Sequence, residues 1–143
     1  MSDLRRVVVT GMGLVTPLGC GVECCWDRLI AGESGIRQIT SFDTSDLPST
    51  IAGLVPKDDG PHSFNPDNYM DPKEQRRMDE FLHFALAAAT EAIEDSGWKP
   101  QTLEHFERTG VMVGSGIGGL RSIEEGALTL SENGPRSLSP LFI

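Results

Sequence analysis

GVMVGSGIGG, residues 110–119, sets an apolar run before glycines at 114, 116 and 119, the spacing of a dinucleotide fingerprint. Read that way, the stretch makes the chain a nucleotide-binding oxidoreductase. Read as a sharp turn between a buried strand and a helix, it makes a different α/β protein. A near copy lies at the other end, where VVV at residues 7–9 runs into TGMGLVTPLG with Gly11 and Gly13. Neither apolar run alternates with polar residues, as expected of strands buried on both faces. Residues 7–9 and 109–113 are therefore predicted to be strands, each feeding a glycine turn.

A dinucleotide site needs a helix that begins at the glycines, because its N-terminal amides and dipole hold the pyrophosphate. A helix starting at Gly13 would carry Pro17 in its interior, at a cost of about 3 kcal/mol. The second turn can open a helix near Gly118. However, about 20 residues on, where an acidic residue should end a second strand and grip the ribose, the sequence is ENGPRSLSP. Neither turn continues into Gly-Lys-Ser or Gly-Lys-Thr, so a P-loop fails too. The glycines then serve close packing beneath helices or beside an apolar ligand, and Ile117, apolar at the crest of GSGIGG, favours the ligand.

Outward from these turns, residues 21–31 predict a helix with Val22, Cys25, Trp26, Leu29 and Ile30 on one side and Gly32 as its stop. Residues 33–50 are an irregular connection, and residues 50–55 a short strand. Four prolines between residues 56 and 72 mark a long surface loop. Asp71 then caps a helix with Pro72 at its first position and Glu74 at its third. The apolar repeat carries this helix through Phe81, Leu82, Ala85, Ala88, Ala92 and Ile93 to Gly97, and its alanines predict close packing. Residues 98–108 form a polar connection. Residues 120–130 are helical despite Gly126. Alternating strands and helices imply an α/β fold.

With 143 residues and 38% hydrophobic side chains, the chain is one domain's length and has an ordinary globular composition. Its net charge of −9 removes any general attraction to nucleic acid or anionic lipid, so an anionic partner must use a local patch. One such patch is Lys73, Arg76 and Arg77, at i, i+3 and i+4 on one face of the helix's first turns. Cations there oppose the helix dipole by a few tenths of a kcal/mol each, roughly. The cluster is either a solvated face beside Glu74, Asp79 and Glu80 or a docking site for something acidic.

Cys20, Cys24 and Cys25 are odd in number and crowded together, which fits buried apolar residues in a reducing cytoplasm and not a disulfide framework. His62, His83 and His105 share no spacing with them, so neither a metal site nor a catalytic base emerges. The PLGC stretch is a poor lipoprotein box, and no apolar run is long enough to span a membrane. The last residues, LSPLFI, end without a polar tail and look like a cut.

Six stretches in order, RRVVVTGMGLVTPLG, WDRLIAGESGI, DPKEQRRMDEF, SGW, GVMVGSGIGGL and GPRSLSPLFI, together resemble the opening part of the β-ketoacyl-acyl carrier protein synthase II family. The resemblance implies a thiolase-like layered αβαβα fold, incomplete here, with residues 1–143 as the N-terminal portion of a ketoacyl synthase domain that stops before the catalytic nucleophile. It implies a cytoplasmic homodimer whose partner is acyl carrier protein in its acyl and malonyl forms, with no cofactor. Such enzymes elongate fatty acids by decarboxylative Claisen condensation, using a cysteine and two histidines that lie downstream of this chain. No residue here matches a catalytic position, and the three cysteines fall outside the nucleophile motif. Lys73, Arg76 and Arg77 match the family's carrier-docking face. Ile117 matches the residue gating the acyl pocket, and Phe142 an aromatic bordering that pocket across the dimer interface. Two rivals remain: a noncatalytic carrier-binding module and a nucleotide-dependent oxidoreductase.

Overall fold

The computed structural model describes residues 4–140. In chain order the elements are β1 (Val15–Thr16), β2 (Gly19–Cys20), α1 (Val22–Ile30), β3 (Ile36–Gln38), β4 (Ile51–Gly53), α2 (Pro72–Gln75), α3 (Glu80–Ser96), α4 (Leu103–Glu107) and α5 (Leu120–Asn133), with short 3-10 turns at Pro66–Asn68 and Pro135–Ser137. They divide into two compact units, Met1–Asn65 with Ala85–Trp98, and Pro66–Phe84 with Lys99–Ile143.

In the first unit, β1 and β2 form an antiparallel hairpin that pairs Val15 with Cys20 and Thr16 with Gly19. A second hairpin pairs β3 with β4. α1 follows its predicted course, and its C-terminus explains why. Gly32 takes φ 73°, its amide bonds the Leu29 carbonyl, and the Glu33 amide reaches back to Arg28. This is a Schellman closure, which satisfies two carbonyls the helix would otherwise leave open. Nothing surrounds a Cβ built on Gly32, so Gly32→Ala meets only the backbone penalty. It is expected to lower unfolding free energy by about 1 kcal/mol in urea titration; no change would mean the closure is not needed.

The alanines of α3 meet the first glycine turn, as expected. A Cβ on Gly13 would collide with the Ala88 carbonyl, and one on Gly11 with the Ala92 carbonyl, so here glycine permits backbone to lie on backbone. Two carboxylates from the same helix then stand in for a neighbouring strand. Glu91 accepts the Leu14 amide at 2.9 Å and the Val22 amide at 2.7 Å, and Asp95 accepts the Met12 amide at 2.9 Å. Val22 is the first residue of α1, whose N-cap Gly21 has no side chain to offer, so Glu91 caps α1 from another element.

Several expectations need correction. Residues 7–9 and 109–113 are not strands: among the described residues they join no ladder, and Val7, Val111 and Met112 are 91%, 91% and 99% exposed. A β-branched run has high strand propensity but forms a ladder only when a second backbone lies beside it, and none does here. The long helix from Pro72 to Gly97 is interrupted at residues 76–79. The 56–72 loop is not wholly on the surface, since Phe64 and Met70 are buried. β3 and α4 occupy stretches read as irregular; each is a few residues long, and Thr102 accepts the His105 amide to start α4.

Candidate functional site

The basic cluster sits on one turn of helix. Asp71 caps it by accepting the Lys73 amide at 2.7 Å, with Pro72 at the first position. The helix then stops at Gln75. The Gln75 carbonyl takes the His83 Nε2–H at 3.1 Å instead of an amide four residues on, while Asp79 begins α3 by accepting the Leu82 amide at its own carbonyl. Looser turns continue meanwhile, with the Arg77 amide bonded to Glu74 and the Met78 amide to Gln75, so the chain keeps winding past the end of α2. Lys73, Arg76 and Arg77 are all exposed, and among the described residues none of the three forms an ion pair. Three unneutralised cations thus crowd a short turn of an acidic chain, a local field opposite in sign to the whole.

The second glycine turn lies in the same unit. Ile117 stands at its crest, 75% exposed. Ser115 Oγ accepts the Gly118 amide at 3.0 Å, so one of the amides a pyrophosphate would need is already engaged. α5 begins at Leu120 as predicted, running three residues further than expected to Asn133. Its N-cap, Gly119, has no side chain, and Asp79 lies against this end of the helix: Ser122 Oγ donates to Asp79 Oδ1 at 2.5 Å, and a Cβ on Gly119 would run into Asp79 Oδ2. Asp79 therefore joins the basic turn to α5, a link not visible in the sequence, where it read as one of several acids on a solvated face. Phe142 lies outside the described residues.

The three cysteines lie in the first unit and form no disulfide, with Cys24 and Cys25 buried. Cys25 Sγ donates to the Gly19 carbonyl at 3.3 Å and lies 3.1 Å from Thr16 Oγ1, an arrangement that knits hairpin to helix. Burial pushes the Cys24 thiol above its ordinary value, with Arg28 partly opposing. Because the fold favours the neutral thiol, this contribution to stability is full below the ordinary thiol range and is lost as pH climbs through the raised value. Iodoacetamide at about pH 8 is expected to alkylate the more exposed Cys20 first and to spare Cys24 until the chain unfolds, as read by peptide mass mapping; equal labelling would contradict this. Also in the first unit, Met12, Leu14, Pro17, Val22, Trp26 and Leu29 line an open apolar hollow of about 780 Å³. Most of the predicted side of α1 thus faces this hollow, with Cys25 buried and Trp26 59% exposed along its wall. Among the described residues no group of His, Cys, Asp and Glu could hold a metal, and no helix is long and apolar enough to cross a membrane.

Residues 4–143 match the family model described as the N-terminal domain of β-ketoacyl synthase. A 3-oxoacyl-(acyl-carrier-protein) synthase 2 from Rhizobium meliloti (strain 1021) is 50% identical over 141 residues, covering 98% of this chain and 34% of the relative. Its counterpart from Vibrio cholerae serotype O1 is 47% identical over 139 residues, covering 97% and 32%. The chain thus spans about a third of the length of these curated relatives. Among solved structures, the ishigamide ketosynthase/chain length factor superimposes with a TM-score of 0.71 at 30% identity, covering 96% of this chain and 33% of that one. The α/β class is thereby the thiolase-like one, although the two glycine-linked runs form no ladder here. By its sequence over nearly every residue, the chain belongs to the β-ketoacyl synthase family as its N-terminal domain.

Proposed function

We propose that this chain is the opening portion of a condensing enzyme that elongates fatty acids by joining an acyl thioester to malonyl-acyl carrier protein with loss of carbon dioxide. In this reading the chain supplies carrier docking and part of the acyl pocket, while the nucleophilic cysteine and paired histidines belong to a continuation beyond residue 143. The relatives' names supply the reaction's carrier. The observation that carries the reading is the exposed, unpaired trio Lys73, Arg76 and Arg77 on a chain of net charge −9.

Acyl carrier protein, an acidic partner, would meet that trio, and its acyl chain would pass Ile117, with Phe142 at the pocket's border across a homodimer interface. A cytoplasmic setting goes with this reading. The glycine turn then serves hydrocarbon and not phosphate. The test is titration of fluorescently labelled acyl carrier protein with the 143-residue chain at low salt. Binding that weakens steeply as salt rises is the expected result, since the contacts are exposed charges. No binding at low salt, or binding indifferent to salt, overturns the docking role. Condensation of malonyl-carrier protein by this chain alone would overturn the placement of the catalytic residues beyond it.

A further inference from the structure

We propose that Asp79 is a positioning residue that ties the carrier-docking turn to the acyl gate; this rests on the reading of Lys73, Arg76, Arg77 and Ile117 just given. Three observations within one unit carry it. Asp79 lies two residues past Arg77, and its carbonyl, taking the Leu82 amide, sets where α3 begins. Its carboxylate holds the Ser122 hydroxyl at 2.5 Å in the first turn of α5. The same carboxylate lies so close to Gly119 that a side chain there has no room, and Gly119 is two residues from Ile117.

The carboxylate also supplies the negative charge that the open amides at the start of α5 favour, at an N-cap with no side chain of its own. A carrier pulling on Arg76 and Arg77 thus moves a backbone whose next acidic group grips the helix that follows the gate. Two elements distant in sequence thus share one carboxylate. Gly119 is on this account a glycine because a carboxylate from another element occupies its side-chain space.

The experiment is amide hydrogen exchange over residues 116–124 of the full chain, with and without saturating acyl carrier protein, alongside carrier affinity by fluorescence anisotropy. In the unmodified chain the carrier is expected to slow exchange there by at least about fivefold. In Asp79→Asn and in Ser122→Ala, affinity should stay within about twofold while that slowing disappears. Gly119→Ala, whose methyl displaces the carboxylate, should match them. A purely structural role predicts instead that affinity and slowing fall together. If Asp79→Asn fails to fold, Ser122→Ala decides, because it keeps the charge and removes one bond. Slowing that persists in these variants, or is absent in the unmodified chain while carrier binds, overturns this inference alone. Absence of carrier binding overturns both it and the docking reading.

Discussion

Reversing Lys73, Arg76 and Arg77 together to glutamate is expected to weaken acyl carrier protein binding by more than about 100-fold at low salt. Each side chain is exposed and free of an internal ion pair, so the change breaks no bond within the fold. Surface substitutions of that kind usually alter stability by no more than about 0.5 kcal/mol. The dipole of α2 decides little here, because Lys73 lies in its single turn while Arg76 is its C-cap and Arg77 lies past its end. Loss of binding without loss of folding is therefore the signature. The single reversals should each cost several-fold, roughly, and the loss should shrink toward nothing as salt approaches about 1 M. Affinity unchanged in the triple variant, with circular dichroism intact, would mean the cluster is an ordinary solvated face.

Replacing Glu91 with alanine is expected to cost about 2–4 kcal/mol of stability. One carboxylate serves two backbone amides, those of Leu14 and Val22, at 2.9 and 2.7 Å. Bonds to an ionised group contribute more than neutral ones, and removing the acceptor strands the Val22 amide in a half-buried place and leaves the Leu14 amide to water. The hairpin and the start of α1 lose their tether to α3 at once. Glu91→Gln keeps an oxygen for one amide but turns an NH2 toward the other, so it should cost roughly half as much. Asp95→Ala removes a single, exposed bond, to Met12, and is the natural control with a smaller effect. Urea titration followed by circular dichroism reads all three. Equal midpoints for Glu91→Ala and the unmodified chain would show that water replaces the carboxylate at no cost.

What the sequence made legible was local. α1 announced its stop at Gly32, and residues 120–130 read as helical despite Gly126. The Asp71–Pro72 start of α2 came from short-range chemistry that needs no tertiary partner. What it hid was decided from a distance. The helical pattern runs unbroken from Pro72 to Ser96, yet His83 takes the Gln75 carbonyl and Asp79 turns to α5, so two helices form where periodicity reads one. Likewise nothing in the sequence marks Glu91 and Asp95, and only the packing of Gly11 and Gly13 against Ala88 and Ala92 brings amides within their reach. The valine runs encode burial on both faces but cannot supply the neighbours that burial needs. Of the candidate site, the charge cluster was readable from spacing. The gating role proposed for Ile117 rests on resemblance alone, since a lone isoleucine between glycines has no chemistry that names one.

The bare runs at residues 7–9 and 111–113 also bear on how the protein is made. At a synthesis rate of about 5–20 residues per second, the first run precedes the second by roughly 5–20 s, the time to add about a hundred residues. From its emergence onward the first run is a sticky, β-branched ribbon with open amides and carbonyls, and the folded chain leaves it uncovered. Its fate in the cell then depends on holdase traffic and translation speed as much as on the final fold.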